Sequence, residues 1–229
     1  MADRAKTRQE LAYASLRADI LTGRLKPGEK LRFNDLCANY GVSVGVMREA
    51  LSRLVEQGLV QSAPQQGFSV TPISRTDLAE LTSARLEIET LTLRHAIAEG
   101  DLAWESEVLG AEHRLAGTKL FASDHPLRFN EEWTARHSTF HENLLLGCSN
   151  GRLRAIASQL RAEAELYRNW SLSLSHGEDR DIVGEHRAIV EAVLSRDADL
   201  AAQRLSDHIS LTTSLLLAAA EQSDAHELS

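Results

Sequence analysis

Residues 34–58 read NDLCANYGVSVGVMREALSRLVEQG, and this stretch decides the fold of the first third of the chain. Asn34 and Asp35 supply capping side chains, so a short helix is predicted through about Tyr40, with Gly41 closing it. Ser43 caps a second, longer helix through about Gln57, and Gly58 closes that one. Two helices joined by a tight glycine-containing turn make a helix-turn-helix. The second helix is two-faced. Met47, Ala50, Leu51, Leu54 and Val55 recur at helical spacing as an apolar stripe, whereas Val44, Gly45, Arg48 and Ser52 lie on another face. A recognition helix needs this division, because one face packs while small and cationic side chains near its start approach the major groove. Arg48 suits a guanine edge or a phosphate.

Working outward, Arg8–Thr22 carries apolar residues at Leu11, Ala14, Leu16, Ala18 and Leu21, which predicts a helix stopped at Gly23. Lys26-Pro27-Gly28 is a turn. Leu59–Ser62 and Phe68–Thr71 read as two strands joined by Ala63–Gly67, a β-hairpin wing whose tip residues Gln66 and Gly67 reach a DNA backbone or minor groove. The competing reading is a small helical subdomain with no DNA role. Charge separates the two. Residues 1–72 hold ten Lys or Arg against seven Asp or Glu, net +3, while the remainder holds 15 against 26, net -11. An acidic chain that keeps its basic charge in one segment is arranged to meet phosphate with that segment.

The same shift in charge places a domain boundary near Thr71-Pro72, dividing the 229 residues into 1–72 and 73–229. Residues 75–229 show no convincing strand alternation. Helical segments are predicted at 75–99, 101–117, 125–146, 150–173, 178–195 and 197–222, with Ser74, Asp101, Asp124, Asn150 and Asp197 as caps. Gly100, Gly147 and Gly177 sit near the breaks. The fold class is mostly α: an N-terminal winged helix-turn-helix and a C-terminal all-α antiparallel helical bundle. The two cysteines, Cys37 and Cys148, have no metal-type spacing and read as free thiols of a reducing compartment. No signal-peptide pattern opens the chain, and the most apolar run, Leu215–Ala220, is too short to span a bilayer. A cytoplasmic protein with no membrane partner is expected.

Four histidines stand out in the second part. His137 and His141 are four apart on one predicted helix, so both project from one face. His186 and His208 lie on the next-to-last and last helices, and a central site in the bundle can collect all four. Neutral imidazoles on rigid helices ligate zinc, and also nickel, copper or iron. Taken singly, each is also compatible with a packed or surface histidine, the reading given to His95, His113, His125, His176 and His226.

The segments LRADILTGRLKPGEKL (16–31), GVSVGVMREALSRLVEQGLV (41–60) and GFSV (67–70) resemble the GntR family of bacterial regulators. That resemblance implies a homodimer on double-stranded, pseudo-palindromic operator DNA. It implies phosphate contact by Ser43 and carries Arg48 over as the motif's cation. Here Val44 stands where the family usually has Arg, Gly45-Val46 where Thr-Pro is common, and Asn34 where a basic residue is frequent. HSTFHENLLLGCSNGRL (137–153), EHRAIVEAV (185–193) and DHISLTTSLL (207–216) resemble the FCD ligand domain of the FadR-type branch. In many such domains an Asp and three His hold a divalent metal at the floor of an effector cavity. The resemblance places His141, His186 and His208 at the His positions and His137 at the Asp position. It also puts Arg85, in ARLEIE, where an Arg often faces the effector, and an Arg fork suits a small carboxylate. A surface pair Arg85–Glu89 is the alternative. Arg161 and Tyr167 are further candidates for lining the cavity. The expectation is a ligand-responsive repressor released by a small carboxylate bound beside the metal. A metal-dependent enzyme is the rival class, but the Glu of an HExxH motif is missing: Ser138 follows the first His, and Glu142 falls after the second. A regulator that senses the metal itself is the third reading.

Overall fold

The computed structural model describes residues 7–21, 24–63, 67–72, 74–123, 125–171 and 180–227. They divide into two compact units, Met1–Ser74 with Ala162–Trp170, and Arg75–Arg161 with Ser171–Ser229.

In the first unit, α1 (Arg8–Leu21), α2 (Phe33–Tyr40) and α3 (Val44–Glu56) stand with three short strands, β1 (Lys30–Leu31), β2 (Val60–Ala63) and β3 (Gly67–Val70). The sheet order is β1-β3-β2, antiparallel throughout, with Val60 opposite Val70 and Ala63 opposite Gly67. The hairpin is therefore the expected wing, and β1 is an added strand, only two residues long. On α3, Met47, Ala50, Leu51 and Leu54 are fully buried, as their spacing predicted. Each large side chain removed from water there contributes roughly 1.5–3 kcal/mol. They pack with Leu16, Ile20, Leu36, Leu59 and Val70, and Leu166 of α7 (Gly151–Ser171) closes the same core. The buried face of α1 is Ala12, Leu16, Ile20 and Leu21: of the expected residues Leu16 and Leu21 are buried, whereas Leu11, Ala14 and Ala18 are exposed. Leu16, Ile20 and Leu21 carry the large apolar surface and set the face, which leaves Ala14 and Ala18 outward. Asn34 does not cap α2: that helix starts one residue earlier, with Arg32 in extended backbone at the cap position and no side-chain cap. Gly41 closes α2 at φ 62°, in the left-handed region that glycine enters without strain.

In the second unit, α4 (Arg75–Glu99), α5 (Leu102–Ala116), α6 (Glu131–Leu146), α8 (Ile182–Leu194) and α9 (Ala198–Glu227) join the first half of α7. Helix α4 packs on α9 and α6, α5 on α6 and α8, and α8 on α9. The core runs through Leu93, Ile97, Val108, Phe140, Leu144, Ile189, Val193, Leu205 and Ile209. Asp101, Asn150 and Asp197 accept backbone N–H bonds at the starts of α5, α7 and α9, as caps should. The expectation of a helix from 125 is corrected. Residues His125–Phe129 form a strand, β5, paired with β4 (Phe121–Ala122), and α6 begins only at Glu131, capped by Asn130. Asp124 and the break at Gly177 lie outside the described residues. Trp104 closes the corner where α4 and α6 end and α5 begins: its indole N–H donates to the Asn143 carbonyl at 2.8 Å. A Cβ at Gly100 would lie 2.2 Å from the ring, and one at Gly147 2.8 Å.

Candidate metal centre and DNA-reading helix

The second unit brings His137 and His141 of α6, His186 of α8 and His208 of α9 to one point. The i,i+4 pair works because consecutive turns stack the two rings on one face, 4.5 Å between centroids. All four are buried, and one nitrogen from each lies within 4.8 Å of the others. Nitrogens sharing one ion at roughly 2.0–2.1 Å lie at most about 4.2 Å apart, so the widest spacing must close by some tenths of an ångström to hold one. Trp133 stacks on His137 at 4.7 Å and holds its ring.

Burial, and then the positive field of His208, Arg161 and His186, drives the His141 pKa well below 6.5. Burial likewise lowers His208, although Glu185 pulls the other way. Both rings are neutral at pH 7, the state a metal requires. Neither ring nitrogen of His141 has a hydrogen-bond partner among the described residues. Two unpaired buried nitrogens cost roughly 1–3 kcal/mol each, and a bound cation removes that cost from the nitrogen it coordinates. The donor set thus fits a metal.

The nitrogen that His208 offers is fixed by its other side. Its Nδ1 lies 2.7 Å from Glu185 Oε2 and donates to it, which leaves Nε2 with a lone pair. Because His208 is neutral, this is a hydrogen bond and not an ion pair. Arg180 grips the same carboxylate with a fork, Nε to Oε1 at 2.7 Å and Nη2 to Oε2 at 2.6 Å. Arg180 also donates to Thr212 Oγ1 at 3.0 Å and to the His208 carbonyl at 3.2 Å. Burial would raise the Glu185 carboxyl, but bonds from Arg180 and His208 outweigh that and hold it at about 2. An Arg–Glu–His chain of this kind orients a metal ligand. Sequence reading missed Glu185 and Arg180; the only signal was a carboxylate next to His186, and it serves a histidine on a different helix.

A cavity of about 190 Å³ adjoins the cluster, lined by His186, Trp133, Arg180, Glu112, Thr118 and neighbouring apolar groups. Arg85, Arg161 and Tyr167 do not line this cavity. Arg85 pairs with Glu89 at 2.6 Å, and that pair is largely buried instead of lying on the surface. Arg161 donates to the Ser138 carbonyl at 2.8 Å. Arg85 and Arg161 nevertheless contribute positive potential at His141. In the first unit, the buried Tyr167 hydroxyl accepts the Ser74 N–H at 3.2 Å.

The first unit presents the front of α3. Ser43 caps it, accepting the Val46 N–H at 3.4 Å. Val44 is 47% exposed, and Gly45 and Arg48 are exposed beside it. The Arg48 guanidinium lies over the Phe33 ring, 4.9 Å from its centre, which holds the cation at the surface without neutralising it. Asn34 and Gly67 are also exposed, and Gln66 lies outside the described residues. Lys30 and Arg32 add exposed cations that the sequence reading did not single out.

Comparison with known proteins agrees with this two-part layout. The model for bacterial regulatory proteins of the gntR family matches residues 8–70, and that for the FCD domain matches residues 80–211. The chain is 36% identical over 208 residues to the HTH-type transcriptional regulator BphR of Paraburkholderia xenovorans LB400, covering 90% of this chain and 84% of that one. It is 35% identical over 202 residues to the HTH-type transcriptional repressor GlaR of Escherichia coli K12, covering 86% and 90%. The structure of E. coli McbR/YncC superposes with a TM-score of 0.75 over 93% of this chain and 98% of that one, at 19% identity, a likeness of fold. The chain belongs to the GntR family of bacterial regulators and carries an FCD domain. It is a DNA-binding transcription regulator, from a family of regulators and not of enzymes. Among the described residues, no helix is long and apolar enough to cross a membrane.

Proposed function

We propose that this regulator is a metal-containing repressor that a small carboxylate releases from its operator. In this reading residues 1–72 bind DNA, residues 73–229 bind ligand and metal, and the protein acts as a cytoplasmic homodimer with one α3 per operator half-site. Val44, Gly45 and Arg48 meet base edges, Ser43 and Gly67 meet phosphates, and Asn34 and Gln66 flank them. His137, His141, His186 and His208 hold a divalent metal, with zinc the first choice for four imidazoles and nickel the alternative. A bound ion supplies a positive point that attracts a carboxylate. Among the described residues Arg180 uses four of its five N–H groups, and in this reading the second N–H on Nη1 meets an anion entering the cavity. Arg85 and Arg161 reinforce the positive potential there.

The observation that carries this reading is the buried cluster of four histidines beside a cavity walled by an arginine. For control to follow, the acid must bind the released state more tightly than the operator-bound state. A ratio of about 100 corresponds to about 2.7 kcal/mol. The test is fluorescence anisotropy of metal-loaded protein on fragments of its own genome, titrated with small carboxylates. Salt-sensitive binding to one fragment, weakened by an acid, is the expected result. Binding that ignores every acid but follows metal removal would make the ion the signal; no preference for any fragment would end the regulator scheme.

A further inference from the structure

Glu112 of α5 is a carboxylate in an unlikely place. It is only 9% exposed, it lines the 190 Å³ cavity, and its Oε1 has no hydrogen-bond partner among the described residues. Burying a carboxylate oxygen without a donor is costly, so such groups are normally paired. The cavity volume limits the partner. At about 30 Å³ per water, it holds on the order of six waters or one small organic acid. The wall is also asymmetric in charge, with the Arg180 guanidinium and the Glu112 carboxylate both lining it. Rotation about the last side-chain bond of a Glu is soft and exchanges its two oxygens, so either one can turn to a ligand.

We propose that Glu112 sets effector specificity: the cavity takes a small carboxylic acid that also carries a hydroxyl or ammonium donor. The acid's carboxylate goes to Arg180 and its donor goes to Glu112. This rests on the carboxylate-effector reading above and adds the second recognition point. A plain acid leaves the Glu112 oxygen unpaired, and a site built to pair a donor discriminates strongly against a ligand that lacks one.

The test uses the full-length, zinc-loaded protein with free zinc buffered at one level, and isothermal titration with two matched sets. One set is butyrate, 3-hydroxybutyrate and 3-aminobutyrate; the other is succinate, malate and aspartate. In at least one set, a substituted acid is expected to bind tenfold or more tightly than its plain parent. In Glu112→Leu that preference falls below threefold, and the plain acid binds at least as tightly as it does to the parent protein. Glu112→Gln keeps an acceptor but no charge, so it loses the ammonium preference and retains part of the hydroxyl preference. The wild-type ratios and the near-isosteric Gln variant decide the matter if Glu112→Leu does not fold. Plain acids binding as well as substituted ones, or a preference that survives both substitutions, overturns the role of Glu112 and leaves carboxylate sensing standing. No binding by any of the six acids overturns both.

Discussion

Glu185→Gln is the most informative single change at the metal centre. The substitution keeps the side-chain volume and removes the charge. Three donors now converge on this carboxylate: Arg180 Nε and Nη2 at 2.7 and 2.6 Å, and His208 Nδ1 at 2.7 Å. An amide offers one oxygen and one NH₂. Whichever way it turns, at least one of the three N–H groups faces another N–H. With the NH₂ at the Oε2 position the His208 ring is free to flip or to change tautomer; with the oxygen there, His208 keeps only a neutral acceptor, which holds its Nε2 less firmly for a metal. Loss of a charge-assisted bond is worth about 1.5–3 kcal/mol, and loss of a carboxylate behind a ligating histidine weakens metal binding about 10- to 100-fold. Competition against a zinc-binding fluorophore measures this directly, with circular dichroism confirming that the helices persist. A folded Glu185→Gln protein that binds zinc as tightly as the parent would refute the claim that this chain of bonds orients His208.

Further outcomes follow from the same geometry. Burial holds His141 well below 6.5 and His208 below 6.5 when folded, whereas both take up protons near 6.5 once unfolded, so the unfolded state binds more protons around and just below that pH. Metal-free protein should therefore lose stability from pH 7 to 5.5, by up to roughly 2–3 kcal/mol for the two together, in urea denaturation; an unchanged midpoint contradicts this. Glu185, held at about 2, contributes stability above about 4.5 and loses it only toward 2, outside that window. Ser43→Ala removes the cap of α3 and should lower stability by about 0.5–1 kcal/mol, at the low end because the bond is 3.4 Å long, with operator affinity falling as well. Arg48→Ala should reduce the slope of log affinity against log salt by about one if Arg48 meets phosphate, or relax specificity at one base pair if it meets guanine. Leu54→Ala, at a fully buried position of α3, should cost about 2–5 kcal/mol in a denaturant melt.

Local signals in the sequence located α3, its cap and its apolar stripe, because period, cap and stop residues all lie within one helix. The pairing of His137 with His141 was legible for the same reason, whereas singling out His186 and His208 as their partners rested on the resemblance to FCD domains. Elements set by contacts between distant residues were not. Asp124-His125-Pro126 carries the marks of a helix start, yet pairing of Phe121 with Phe129 makes His125–Phe129 a strand. On α1 the reading holds for Leu16 and Leu21 but not for Leu11, Ala14 and Ala18, because small alanines keep helical period without bringing apolar area to bury. Arg180 follows residues 172–179, which have no apolar period, and only the packing of α8 on α9 joins Glu185 to His208.

Gly45 has a consequence for how such a protein diversifies. A methyl group built there would meet only Ser43 Oγ, at 3.9 Å, an ordinary contact, and the backbone is not in the left-handed region. Nothing in the scaffold therefore requires glycine at this exposed point. Gly45→Ala should leave stability equal or higher by up to about 1 kcal/mol in a thermal melt, while altering which operators bind in a selection from random DNA. Duplicated descendants of this chain are free to try new residues at the helix tip without endangering the fold, so divergence of their target promoters can run ahead of any change in what they sense.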